Sequence, residues 1–241
     1  MGGYPPSRLS GEKMIRFDKL FEILTGKFPS FMQGAGITLR LAFFTVLLGT
    51  MLGLIVALLR RSHAAPLRWL MNAYIAFTRG TPLLVQTLLL VYGILPNVAA
   101  LMGVKFSKLF MCNIALIFNS GAYMAEIIRS GIQSIDAGQG EAAATLGLSS
   151  GQSMRFVILP QALKVTLPAM GNEFVAIIKE SSIMYAVGVY ELTYQANKLA
   201  STNYFYIETM LIAAGVYFVM TFVVSKLLAR LERRMRLGET T

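Results

Sequence analysis

Long stretches without a single charged residue constrain this chain more than any other feature. Leu41–Leu59 is an uncharged, mostly apolar run of 19 residues, closed by Arg60 and Arg61. Leu83–Val104 and Leu109–Ala125 are also uncharged, the second stopping at Glu126. Thr209–Ser225 is uncharged and runs into Lys226, Arg230, Arg233, Arg234 and Arg236. A helix needs about 20 apolar residues to cross the hydrocarbon of a bilayer. Each run therefore predicts a spanning helix. A further apolar stretch, Val165–Val189, is interrupted by Glu173, Lys179 and Glu180 and predicts an irregular span. The expected fold class is an all-α integral membrane protein of about five transmembrane helices. Pro96 and Asn97 are expected to end the second span early. Leu67–Thr78 reads as a cytoplasmic helix or as an early part of that span.

Composition agrees. Only 14% of the 241 residues are charged and 55% are apolar, with mean hydropathy +0.60; a soluble domain averages about 25% charged. The net charge of +10 suits the excess of Lys and Arg on cytoplasmic segments of a membrane protein. One cysteine, Cys112, permits no intrachain disulfide, and one histidine, His63, rules out a multi-histidine metal site. A nucleophile with its base, as an intramembrane enzyme needs, is not evident. No phosphate-binding G-x-x-x-x-G-K-[ST] loop occurs, so any ATP chemistry must lie on another polypeptide.

Five spans put the ends on opposite sides. With the C-terminus cytoplasmic, the inner segments carry Arg60, Arg61, Arg68, Arg79, Arg129, Arg155, Lys164 and the basic tail. Outside the head, the outer segments carry only Lys105, Lys108 and Lys198. The N-terminus is therefore assigned outside and the C-terminus inside. The expected division is an extracytoplasmic N-terminal segment (1–30), a transmembrane region (31–235) and a cytoplasmic tail (236–241). Ile15–Leu24 reads as a short surface helix, and the Gly-Gly and Pro-Pro near the start as loose chain.

The longest inner connection spans about 130–164. In it, Ser134–Gly140 reads as a turn, Glu141–Leu146 as a short helix, Gly147 as its stop and Ser149-Ser150-Gly151 as a second turn. Helical spacing resumes over Ser153–Leu159 until Pro160 interrupts it. This loop holds Glu141-Ala142-Ala143, then Gly147 after three residues, then Val157-Ile158-Leu159-Pro160 after nine more. The pattern resembles the EAA signature of bacterial ABC importer permeases, with Val157 where that signature has Ile. Small Ala side chains let a short helix sit deep in a partner's groove. Gly147 allows the left-handed stop. Glu141 is suited to capping the helix start or pairing with a basic group of the partner.

Further segments resemble the polar amino acid permeases, the importers of histidine, arginine, glutamine, glutamate and cystine. They are Arg79-Gly80-Thr81-Pro82 with Gln86, Asn119-Ser120-Gly121-Ala122-Tyr123 with Glu126, Gly171-Asn172-Glu173, Lys179-Glu180-Ser181-Ser182 and Gly188–Thr193. The resemblance covers about Gly34–Met235. It implies a type I ABC importer permease fold and a complex. That complex has a second permease subunit, identical or homologous, and two ATP-binding subunits holding ATP and magnesium. An extracytoplasmic amino acid-binding protein completes it. Membrane lipid is the surrounding medium, and nucleic acid is not a partner. This chain binds no cofactor and is not itself an enzyme. Docking of the ATP-binding subunits would fall on Glu141, Ala142, Ala143, Gly147, Leu159 and Pro160. A secondary transporter or channel is the alternative function, although no two-fold internal repeat supports it.

Polar groups at membrane depth are costly and need a partner or a wet cavity. Asn119, Tyr123 and Glu126 recur at i, i+4, i+7 and share a helix face. Arg129, three residues on, could neutralise Glu126, leaving an ion pair as the other reading. Asn119 suits an interhelical hydrogen bond as well as cargo contact. Glu173 and Glu180 share one face of the fourth span, and Asn172 and Lys179 the next. Ser181, Ser182 and Gly188 permit a helix break there. These nine residues, Asn119, Tyr123, Glu126, Asn172, Glu173, Lys179, Glu180, Ser181 and Ser182, are the candidate substrate pathway. Two acidic groups against Lys179 favour a cationic or polar-neutral amino acid. Thr81 and Pro82 read as the N-cap and first residue of a helix. Gly49 and Gly53 form a G-x-x-x-G pair that suggests close helix contact.

Overall fold

A computed structural model describes residues 15–236, leaving aside the side chains of residues 235 and 236. The expectations for the Gly-Gly and Pro-Pro segment, and for the end of the tail, lie outside the described residues. The described residues are almost wholly helical. In chain order the helices are α1 (Phe17–Leu59), α2 (Ala65–Gly80), α3 (Leu83–Leu88), α4 (Leu95–Leu101), α5 (Lys108–Gln133), α6 (Ala137–Thr145), α7 (Ser150–Ser153), α8 (Leu159–Glu180), α9 (Leu192–Asn203) and α10 (Tyr206–Arg236). By length and apolar composition, α1, the composite Leu83–Leu101, α5 and α10 can each cross a membrane. The 22-residue α8 is the irregular fifth, carrying Glu173, Lys179 and Glu180 between α5 and α10.

Several local expectations are corrected. Ile15–Leu24 is not a separate helix. Residues 17–30 belong to α1, which continues through Pro29 to Leu59. Pro96 and Asn97 do not end the second span, and Pro160 does not interrupt the next. Each proline follows a wider π-helical turn, Leu89–Ile94 and Met154–Ile158 respectively. Such a turn relaxes the backbone just where the proline ring would clash with the preceding turn and where its missing N–H leaves a carbonyl free. Asn97 helps by donating its side-chain amide to Gly93 O at 2.5 Å. α2 is a helix of its own. Thr81 ends α2 and does not cap α3, because its hydroxyl turns back to Phe77 O at 2.8 Å; Pro82 holds the cap position.

In the connection between α5 and α8 the helix begins earlier than expected. Asp136 caps α6 by accepting from Gly138 N at 2.7 Å, so the turn is only the few residues before it. Glu141 lies in the middle of α6, exposed, and does not cap it. Ser149 and Gln152 then form a reciprocal capping box that starts α7.

The centre of the molecule is the crossing of α1 and α5. A side chain on Gly53 would meet Met124 Cβ at 2.6 Å and Ala125 N at 2.8 Å, and one on Gly49 would meet Ser120 at 3.1 Å. The G-x-x-x-G pair is therefore a true contact face, as its spacing suggests. Gly131 serves the same purpose between α5 and α8, against Thr166. Two buried clusters flank the crossing. One joins α1, α8, α9 and α10 around Phe31, Ile177, Ile178 and Leu192. The other joins α1, α5 and the break after α8 around Leu41, Cys112, Leu116 and Met184.

Candidate translocation pathway and coupling loop

The rise of 1.5 Å per residue gives a depth scale along α1. Gly49 lies ten residues from the helix end at Leu59, about 15 Å, or half of an apolar core about 30 Å thick. Ser120 faces Gly49, and its hydroxyl donates to Glu173 Oε1 at 3.0 Å. Glu173 is thus tied to α5 beside the Gly49 crossing. Sequence spacing placed Glu173 on a face but gave no sign of its serine partner.

Around this pair the predicted residues divide. Asn119 is buried and donates to Gln86 Oε1 at 3.0 Å. Gln86 in turn donates to Thr78 O at 2.7 Å and Thr81 O at 3.0 Å, closing the α2–α3 corner. Asn119 therefore makes the interhelical bond. Tyr123, half-exposed, sets its ring under the Arg79 guanidinium at 5.6 Å. Glu126 meets three arginines: Arg60 at the end of α1, Arg129 at 2.7 Å and Arg79 at 3.8 Å. It locks the ends of α1, α2 and α5 together. Only Arg129 was visible as its partner from spacing. Tyr123, Glu126, Arg79, Arg129, Ser130 and Thr166 share the wall of an open cavity of about 580 Å³.

Asn172, beside Glu173 on α8, and Lys179 and Glu180 at its end are exposed on the single subunit, and Ser182 is half-buried. Ser181 is fully buried and donates to Ile178 O at 2.8 Å, so its hydroxyl ends the helix. The helix breaks where the serines and Gly188 allow it. A tight 3₁₀ segment, Ser181–Val187, ends on Gly188 in the left-handed conformation, φ +80°. Beyond it stands Glu191, which the sequence reading passed over. It is buried and caps α9 by accepting from Thr193 N at 2.9 Å and Tyr194 N at 2.7 Å. Tyr217 of α10 donates to the same carboxylate at 2.7 Å. Burial raises this carboxyl above its ordinary range, while the donors act to lower it. An acidic residue just ahead of a helix is a recognisable cap, so the signal was there.

The connection between α5 and α8 forms a compact helix–turn–helix. Gly147 takes φ +82°, with Leu148 N donating to Ala143 O and Gly147 N to Ala144 O. This double bond is the Schellman stop of a helix. Ala143 is buried inward, while Glu141, Ala142, Leu146, Phe156, Leu159 and Pro160 are exposed. Apart from Glu141 these exposed side chains are apolar, and exposed apolar patches are characteristic of interaction sites.

Comparison with known proteins gives the class. The chain belongs to the family of binding-protein-dependent transport system inner membrane components, whose model matches residues 49–237. It is a multi-pass permease of the ABC importer type. A permease of this family works with ATP-binding subunits, a partner permease and a substrate-binding protein, and the ATPase activity lies on those separate subunits. These findings favour the ATP-driven reading over the secondary transporter or channel.

Among its relatives is an arginine transport system permease protein of Bacillus subtilis (strain 168). It is 33% identical over 216 residues, covering 90% of this chain and 97% of the relative. A probable amino-acid permease protein of the same organism is 39% identical, covering 89% and 95%. A crystal structure of an amino acid ABC transporter with histidines has a chain 42% identical to this one. It matches with TM-score 0.82, covering 92% of this chain and all of that one.

Proposed function

We propose that this chain forms the membrane pathway for a polar amino acid, cationic ones being favoured, in an ATP-driven importer. The observation that carries the reading is Glu173 held by Ser120, at mid-membrane depth in this reading and two helical turns before Glu180 at the break of α8. A carboxylate at that depth is costly unless a cavity or cargo justifies it. Broken helix ends supply backbone groups that can replace the hydration of an ammonium and a carboxylate. The relatives named for arginine and amino-acid transport support the same cargo class.

The proposed complex contains two ATP-binding subunits, which hold ATP and magnesium and dock on Glu141, Ala142, Ala143, Gly147, Leu159 and Pro160. A second permease, identical or homologous, completes the pathway, and an extracytoplasmic binding protein delivers the amino acid. Tyr123 and Glu126 form the inner wall in this reading, with Glu126 acting through its arginines and Asn119 holding the α2–α3 corner behind them. Residues 1–30 and α9 face outward, and the basic end of α10 faces the cytoplasm.

Glu180→Gln tests the lining. The variant keeps size and removes charge, so it isolates the electrostatic contribution. ATP-driven uptake into proteoliposomes should fall, more for arginine than for glutamine, while assembly and basal ATP hydrolysis persist. Unchanged uptake of every amino acid would make the charges of this segment structural.

Orientation has its own test. A cysteine introduced within 197–204 should react with an impermeant maleimide from outside intact cells, and one at Arg234 should not. Native Cys112, fully buried, should stay unlabelled in both. The opposite labelling pattern would reverse the topology.

A further inference from the structure

Outside the groups assigned above, one cluster has the chemistry of a small-molecule site. Tyr194 lies on the first turn of α9. Tyr190 meets it edge-on, with ring centres 4.5 Å apart, and Tyr185 of the 3₁₀ segment approaches it at 6.4 Å. Tyr185, Tyr194, Asn197, Lys198 and Ser201 line an open cavity of about 330 Å³. Its depth follows from α1. Thr38 accepts from Leu192 N at 3.3 Å, and Thr38 lies 21 residues from Leu59, about 30 Å up the helix. The cavity therefore lies at or beyond the edge of the apolar core opposite Arg60, on the side from which α8 breaks.

Three features separate this cluster from a belt of interfacial tyrosines facing lipid headgroups. Tyr185 and Tyr194 share the cavity wall with the polar Asn197, Lys198 and Ser201, and Tyr190 packs against Tyr194. Among the described residues, the chain's own cations lie over Phe205, Tyr123, Phe156 and Phe222, and none lies over these three rings. Lys198 has no carboxylate within ion-pair distance among the described residues. Tyr194 and Lys198 are four residues apart on α9, so they are neighbours on one face. The Glu191 cap holds the first turn of that helix in place.

We propose that this cavity is an entry station for a zwitterionic amino acid, distinct from the mid-membrane groups. The ligand's ammonium rests on the electron-rich faces of the tyrosines, and its carboxylate meets the Lys198 ammonium. The two charges of an α-amino acid are separated by one carbon, which suits a π face and a cation set one helical turn apart. The proposal rests on the amino acid reading of the pathway and adds a first stop at its outer mouth.

The test uses the purified importer complex in lipid nanodiscs, without ATP and without the binding protein. Ser201→Cys carries an environment-sensitive fluorophore at the cavity rim. L-arginine and L-glutamine should each give a saturable fluorescence change. N-acetylarginine lacks the charged α-ammonium and argininamide lacks the carboxylate; both should bind far more weakly. Tyr194→Leu should weaken arginine binding about tenfold, and Tyr194→Phe, which keeps the aromatic face, should not. Lys198→Gln should weaken arginine by a similar factor and leave argininamide unchanged. No saturable response in the parent, or equal binding by the parent, Tyr194→Leu and Lys198→Gln, would overturn the station. Uptake by the unlabelled complex is measured alongside. Amino acid uptake with a silent cavity removes the station alone, and a complex that imports no amino acid removes the cargo reading whatever the cavity binds.

Discussion

Gly147→Val should reduce ATP-driven uptake to background while the permease still inserts in the membrane. Gly147 sits at φ +82°, and a side chain there would meet nothing within 4 Å. The cost is therefore in the backbone alone. A left-handed conformation costs a residue with a Cβ about 1–2 kcal/mol, and a β-branched residue more. Valine should open the double hydrogen bond that ends α6 and swing the exposed row of Ala142 and Leu146 away from the ATP-binding subunit. Asparagine tolerates the left-handed region, so Gly147→Asn should retain most transport. Gly147→Asp tolerates it too but adds a charge at the docking surface, so its loss reports the interface instead of the turn. Uptake and co-purification of the ATP-binding subunit are the readouts. Normal values for both in the valine variant would show that this turn does not position the docking helix.

Gly53→Leu should be the most damaging single change to the fold. A Cβ at this position would already lie 2.6 Å from Met124 Cβ and 3.0 Å from Gly121 O. The clash is partly with backbone, which cannot rotate away. Overpacking a core costs about 1–3 kcal/mol where side chains can adjust, and here α1 and α5 must separate. Separation also pulls Arg60 from Glu126 and loosens the Ser120–Glu173 contact. The variant should aggregate or be degraded on expression, and any protein recovered should melt well below the parent in detergent. Gly53→Ala sets the scale and should be milder. A leucine variant as stable as the parent would mean that this crossing is not the close contact described.

The spanning helices were legible because a bilayer imposes its demand on each segment separately. An uncharged run of sufficient length announces a span without reference to any other part of the chain. The G-x-x-x-G face and the Gly147 stop were legible for a similar reason, since each follows from a local backbone requirement. Pro96 and Pro160 misled because a proline's clash reaches only the preceding turn, and one wider turn there relieves it. That relief leaves no mark in composition. Pairings across the fold were hidden more deeply. Arg60 and Glu126 are 66 residues apart, and Gln86 and Asn119 are 33 apart. Helical spacing says which face a side chain occupies but not which helix arrives opposite it. Lys179 and Glu180 remain exposed on the single subunit, so spacing within one chain does not give their setting.

The length of α1 has a mechanical corollary. At 43 residues it extends about 64 Å, twice what the apolar core requires. Besides a close contact of Gly34 with Leu192 of α9, it is held at the glycine crossing with α5 around Gly49 and Gly53, far from its middle. From there to Phe17 is an arm of about 48 Å, against about 15 Å on the inner side. Moving as one rod, α1 would turn an inner displacement of about 2 Å into an outer one of about 6 Å, a threefold gain set by the rise per residue. Arg16 N donates to Glu208 at the start of α10, so that gain would reach the first turn of a second helix. A small shift at Leu59 would thereby become a larger one at the start of α10.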